Sequence, residues 1–179
     1  MHHRNCEQDH WGADMRLYLL RHAVAVRRAT PGVDDEARPL SEDGIRKMKK
    51  SAAGLKALGL APDVILTSPL PRATQTVEII RAAVGALAEL LPVEALAPSG
   101  HRDDLYEEIR KHPKAREIML VGHQPSLGEI AGEIAFGSPA CTLELRKAGA
   151  CAIELERLSP TPRGTLLWLL KPSILRALR

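Results

Sequence analysis

Arg16-Leu17-Tyr18-Leu19-Leu20-Arg21-His22-Ala23 is an apolar run that stops abruptly at two polar residues. Its first part, 16–20, predicts a buried strand, because a short unbroken apolar run suits a sheet covered on both sides. From Met15 onward the same theme recurs: brief runs rich in Leu, Val and Ile alternate with longer amphipathic stretches, the pattern of an α/β protein whose sheet carries covering helices. Further strands are expected over 64–66, 118–121, 150–155 and 165–170, with a short one at 92–96. Leu40-Ser41-Glu42-Asp43 opens a first helix. Ser41 is placed to cap it, and the two acids suit the positive end of its dipole. Ile45, Met48, Ala52, Leu55 and Leu58 then recur at helical spacing as one buried stripe, leaving Lys47, Lys49 and Lys50 on a solvated face. A second helix is expected from near Pro69 or Pro71 to about Leu87, with Ala73, Val77, Ile80 and Val84 inward. A short helix over 103–111 and another built on Leu127, Ile130, Ala131 and Ile134 complete the set. The turn at 159–164 separates the last two strands.

Composition narrows the class. The 179 residues suit one catalytic unit, read as a single domain over 15–179 behind a polar leader, 1–14, that is expected to be disordered. The leader carries His2, His3, Cys6 and His10, a set able to bind a metal only opportunistically. Aromatic residues are 3% of the chain, too few for a surface that stacks nucleic-acid bases. Lys and Arg exceed Asp and Glu by only 25 to 22, so a dedicated nucleic-acid partner is not expected. No apolar stretch approaches the roughly 20 residues of a membrane span. Three cysteines without a C-x-x-C pair indicate neither a disulfide framework nor a zinc ribbon, which points to the cytoplasm.

Three segments share one design: an apolar strand ends and residues able to handle phosphate follow at once. They are Leu20-Arg21-His22-Ala23, Thr67-Ser68-Pro69-Leu70-Pro71-Arg72 and Val121-Gly122-His123-Gln124-Pro125. Ligands of open α/β sheets bind beyond the carboxyl ends of the strands, so the three are expected to meet in one pocket. Arg21 and Arg72 offer permanently charged forks of donors for phosphate oxygens. His123 can donate from either ring nitrogen. His22 is the candidate nucleophile, because an imidazole with one unprotonated nitrogen attacks phosphorus and two nearby guanidinium groups disfavour its protonated form. Taken singly, each of these residues has an ordinary reading as a surface charge or a satisfied core group. Two histidines and two arginines at three strand ends make a chance arrangement improbable. His101 and His112 read as surface residues, Ser68 as a capping residue, and no glycine-rich nucleotide loop is present.

These residues resemble the signature of the histidine phosphatase superfamily, which has Arg-His-Gly or Arg-His-Ala after its first strand. Ser68-Pro69-Leu70-Pro71-Arg72-Ala73-Thr74-Gln75-Thr76 is similar to a second block of the family, Val121-Gly122-His123-Gln124-Pro125 to a third, and Arg38-Pro39-Leu40-Ser41-Glu42-Asp43-Gly44 to the lead into its first helix. The resemblance implies a three-layer α/β/α sandwich with a central, mostly parallel sheet of the phosphoglycerate mutase-like kind. It also implies transient phosphorylation of His22, with Arg21, Arg72 and His123 as phosphate ligands and no metal or organic cofactor. The short interval between the second and third blocks resembles the compact phosphohistidine-phosphatase branch, whose substrate is a phosphohistidine-bearing protein. Larger members carry a general-acid carboxylate in that interval. Here Glu94, Asp103, Asp104, Glu107 and Glu108 occur there, none in a matching pattern, which favours a leaving group that needs little protonation. The rival expectations are a broader phosphomonoesterase for small phosphate esters and a phosphate-binding or docking module without catalysis.

Overall fold

The run that opens the domain forms β1 (Met15–Arg21), and its side chains are buried on both sides: Leu17 and Leu19 join one apolar cluster, Tyr18 and Leu20 the other. That double burial is why the strand reads as a continuous apolar stretch rather than an alternating one. A computed structural model describes residues 15–28, 30–32, 34–85 and 88–178. The polar leader and its expected disorder lie outside the described residues. The chain continues through α1 (Glu42–Ala57), β2 (Val64–Thr67), α2 (Pro71–Val84) and β3 (Glu89–Pro92). A single 3-10 turn (Glu94–Leu96), α3 (Arg102–Arg110), β4 (Glu117–Gly122) and α4 (Ser126–Phe136) follow. It ends with β5 (Ala150–Arg157), β6 (Arg163–Leu170) and α5 (Pro172–Leu175).

The six strands form one sheet in the order β3-β2-β4-β1-β5-β6. The first four in that order are parallel, and β5 and β6 run antiparallel to their neighbours. Met48, Ala52 and Leu55 of α1, Ala73, Val77 and Ile80 of α2, and Leu175 of α5 pack on one face. Leu105 and Ile109 of α3 and Leu127, Ile130 and Ile134 of α4 pack on the other. The result is the expected three-layer α/β/α sandwich. No helix among the described residues is long and apolar enough to cross a membrane.

Local signals set most boundaries. The Ser41 hydroxyl accepts the Gly44 N–H at 3.0 Å, capping α1 as expected. Pro71 occupies the first turn of α2, where its missing N–H costs nothing. Two expectations are corrected. The second helix ends at Val84, because Gly85 takes the left-handed conformation (φ 67°); the expected end near Leu87 lies outside the described residues. The short strand lies at Glu89–Pro92, not 92–96; residues 94–96 make the 3-10 turn instead. Leu90 and Leu91, which fall between the two expected elements, pair with Ile65 and Leu66 of β2 and so draw the strand toward the helix end. Leu58 also departs from the predicted stripe. It lies just past α1 and is 39% exposed, and Leu60 is buried in its place.

Candidate active site

β2, β4 and β1 are adjacent and parallel, so their carboxyl ends lie side by side, with Thr67 opposite Val121 and Arg21 opposite Gly122. The chain is held there beyond the last strand residues. His22 N–H donates to the Gly122 carbonyl at 3.1 Å, and Ser68 N–H to the Val121 carbonyl at 2.9 Å. All four predicted site residues, Arg21, His22, Arg72 and His123, line one cleft of about 590 Å³. The shared pocket expected from the three strand ends is therefore present.

His22 is only 6% exposed. Its Nδ1 lies 2.7 Å from the Ala23 carbonyl oxygen, and since a carbonyl only accepts, Nδ1 must carry the proton. Burial is the largest influence on the ring and holds its pKa down to about 3, with His123, Arg72 and Arg21 adding smaller pushes and the Ala23 bond opposing. The arginines thus act in the predicted direction, but burial is the greater cause. A neutral ring protonated at Nδ1 leaves a lone pair on Nε2. The loop that orients the ring is itself tied to α2: Ala23 N–H donates to Thr76 Oγ1 at 3.0 Å, and that hydroxyl donates to the Arg72 carbonyl at 2.6 Å. From the other side Ala148 N–H reaches the carbonyls of both Arg21 and His22, at 3.1 and 3.2 Å. Ala148 does so at φ 62°, a strained conformation for a residue with a Cβ.

The guanidinium groups are anchored by part of their donors only. Arg21 Nη1 donates to the Leu145 carbonyl at 3.0 Å. Arg72, 3% exposed, donates from Nη1 to the Asp35 carbonyl at 2.9 Å and to the Glu36 carbonyl at 3.4 Å. The buried Nε of each has no acceptor among the described residues. Buried guanidinium donors without acceptors suit a bound anion. His123, 5% exposed, stands with its ring centroid 4.9 Å from that of His22. Burial first, then Arg72, Arg21 and Arg38, lower its pKa to about 4, so it too is neutral near pH 7.

Two further residues at the site escaped the sequence reading. Ser68 was expected only to cap a helix, yet Leu70 is the N-cap of α2 and makes no side-chain cap bond. The Ser68 hydroxyl instead meets His123 Nε2 at 2.9 Å and accepts the Leu70 N–H at 3.3 Å. Arg38, quoted only as part of the lead into α1, is 7% exposed and lines the cleft, with Nε on Asp35 Oδ1 at 2.9 Å and Nη1 on the Val26 carbonyl at 2.8 Å.

The carboxylates of the interval lie elsewhere. Asp103 borders a separate cavity of about 270 Å³ together with His101 and Arg102. Glu107 and Glu108 pair with Arg110 and Lys111 on α3, and Glu94 is exposed at the 3-10 turn. Among the described residues the only carboxylate lining the cleft is Asp35. Desolvation pushes its pKa up, but Arg38, Arg28 and Arg72 together outweigh that and hold it below the usual range. His101 is exposed as expected, whereas His112 is half-buried with Nδ1 3.9 Å from Glu89. No group of three or more His, Cys, Asp or Glu among the described residues is gathered where it could hold a metal ion.

Comparison with known proteins agrees with this architecture. The family model of the histidine phosphatase superfamily (branch 1) matches residues 17–97. An uncharacterized protein of Picosynechococcus sp. (strain PCC 7002) is 43% identical over 141 residues, covering 75% of this chain and 82% of that protein. The phosphohistidine phosphatase SixA of Escherichia coli K12 is 26% identical over 168 residues, 90% of this chain and 97% of that one. The structure of the protein histidine phosphatase SixA complexed with tungstate superposes with a TM-score of 0.79 at 21% identity, covering 90% and 99% of the two chains.

Proposed function

Because the chain belongs to the histidine phosphatase superfamily, we propose that it removes the phosphoryl group from phosphohistidine on a protein, through a phosphoenzyme at His22. The observation that carries this reading is the commitment of Nδ1 to the Ala23 carbonyl in a ring kept neutral, which leaves an Nε2 lone pair in a cleft of guanidinium groups. The kinship with SixA supports phosphohistidine as the substrate. That the SixA structure sharing this fold is a complex with tungstate, a tetrahedral oxyanion, is in keeping with a phosphoryl substrate.

In the first step Nε2 attacks phosphorus. The P–Nε2 bond forms as the P–N bond to the substrate imidazole breaks, and the electron pair of that bond stays on the departing nitrogen. When the second ring nitrogen of the substrate already carries a proton, the leaving group departs as neutral imidazole and requires no acid. This matches a cleft whose lining carboxylate, Asp35, is tied up by arginine. Arg21, Arg72 and His123 hold the equatorial oxygens and stabilise their charge by N–H donors rather than through a metal ion. In the second step water attacks phosphorus, the P–Nε2 bond breaks, inorganic phosphate leaves and Nε2 regains its lone pair. Cys141 and Cys151 are free thiols, which suits placement in the cytoplasm.

The test is a comparison of a phosphohistidine protein, an activated aryl phosphate and a phosphoserine peptide, with alkaline quench and mass spectrometry to locate phosphate. Label on His22 during turnover and loss of turnover in His22→Ala are expected. Phosphoserine should lag by about 10²–10⁴-fold, the usual worth of general acid help. A fully active His22→Ala enzyme overturns the mechanism. Alkyl esters turned over as fast as phosphohistidine would replace the reading with the broader phosphomonoesterase.

A further inference from the structure

The cleft holds more positive charge than a phosphoryl group requires. Arg21, Arg27, Arg28, Arg38, Arg72 and Lys147 all line it, against the carboxylate of Asp35 alone among the described residues. A phosphoryl group brings about two negative charges. Asp35 answers Arg38 at 2.9 Å and Arg28 at 3.2 Å. Behind the lining, Glu36 acts on Arg72, and Glu144 acts on Arg21 while paired with Arg146 at 3.1 Å. Neither Arg27 nor Lys147 forms an ion pair among the described residues.

These cations sort by depth. Arg38 and Arg72 are buried and Arg21 is half-buried, each anchored on backbone carbonyls. Arg27, Arg28 and Lys147 are exposed, the Arg28 side chain at 82%. The cations of the cleft also act on Lys147. Burial first, then the charges of Arg21, Arg38, Arg28 and Arg72, hold the Lys147 ammonium below its ordinary pKa. Like charges at a cleft mouth, with Asp35 answering Arg28 and no counter-ion among the described residues for Arg27 or Lys147, are relieved by an acidic ligand and raise the rate at which one arrives.

We propose that Arg27, Arg28 and Lys147 form a docking rim that selects protein substrates whose phosphohistidine is flanked by Asp and Glu side chains. This deepens the phosphohistidine reading and rests on it. A macromolecule is favoured over a small polyanion by the placement of the surplus charge. A second phosphate of a small molecule would be gripped by buried forks within the cleft. The surplus cations instead stand exposed at its mouth, where side chains neighbouring an inserted phosphohistidine would lie.

The test uses two peptides carrying one phosphohistidine each, one flanked by Asp and Glu and the other by Ser and Asn. For the full chain, kcat/KM on the acidic peptide should exceed that on the neutral one by about tenfold or more, mostly through KM. The advantage should shrink as salt is raised. In Arg27→Glu/Lys147→Glu the ratio should fall to about one or invert. A second arm does not depend on phosphohistidine turnover: the unphosphorylated acidic peptide should compete with an activated aryl phosphate in the parent chain and fail to do so in the double variant. Equal kcat/KM on both peptides, with no inhibition by the acidic one, overturns the rim and leaves the phosphohistidine reading standing. Inhibition by the acidic peptide without turnover of either phosphohistidine peptide overturns that reading and leaves the rim standing. Stronger inhibition by a nucleoside triphosphate than by the acidic peptide overturns the protein occupant.

Discussion

Acidification should weaken the fold through His22. In the folded chain the ring stays neutral down to about pH 3, chiefly through burial, whereas in the unfolded chain it takes up a proton near pH 6.5. Between those values the unfolded state binds more protons than the folded one, so stability is complete above the unfolded pKa and falls as pH is lowered. Each pH unit inside the window is worth about 1.4 kcal/mol. A drop from about pH 7.5 to about pH 4.5 therefore costs about 3 kcal/mol from this residue alone, most of it below about pH 6.5. Against a total stability of about 5–15 kcal/mol the change is easily resolved. The assay is urea unfolding at steps from about pH 7.5 to about pH 4.5, on the parent chain and on His22→Gln, whose amide does not titrate. Both chains carry the same carboxylates and the same His123, so their other acid responses cancel to first order. The substituted glutamine side chain changes absolute stability, and that offset is irrelevant to the slope. The parent curve should fall more steeply than the variant curve by about 3 kcal/mol over the range. Parallel curves would refute the claim that the fold keeps His22 neutral, and with it the account of a ready lone pair on Nε2.

Three further outcomes follow from the same geometry. Ser68→Ala removes the hydroxyl 2.9 Å from His123 Nε2; with a buried donor or acceptor left unpaired at about 1–3 kcal/mol, kcat should fall about tenfold, measured on the aryl phosphate. Gly44→Ala would set a Cβ 2.0 Å from the Val24 carbonyl oxygen, next to the Ala23 carbonyl that holds His22. The gain in helix propensity of about 1 kcal/mol is expected to lose to overpacking, giving net destabilisation in thermal melts together with reduced kcat. Replacing Glu94, Asp103, Asp104, Glu107 or Glu108 by the matching amide should change phosphohistidine turnover by less than about twofold, since general acid help is worth about 10²-fold at least and none of the five lines the cleft. A hundredfold loss on alkyl esters in one of these variants would reveal a general acid among them.

The division between what the linear chain carries and what folding adds is visible in particular residues. Apolar runs such as 16–20 and 118–121, separated by capped amphipathic stretches, determine an α/β sandwich locally, because burial on both faces imposes its period on the sequence itself. Around Gly85 the expected boundaries differ from the observed ones: where α2 stops and where the short strand begins depend on the left-handed turn at Gly85 and on the pairing of Leu90 and Leu91 with β2, a neighbour remote in sequence. The four candidate site residues are also legible, since each follows a strand end in a block with its own pattern. Their ionisation is not. That His22 keeps Nδ1–H on Ala23 and is neutral chiefly by burial depends on atoms brought from residues 72, 76, 122 and 148. Ser68 acquires its place beside His123 only when β2 and β4 align, and Arg38 and Lys147 reach the same cleft from the loops before α1 and β5. Charge and hydrogen bonding act through distance in space, and a sequence specifies residue types long before it specifies which of them will stand within about 3 Å of one another.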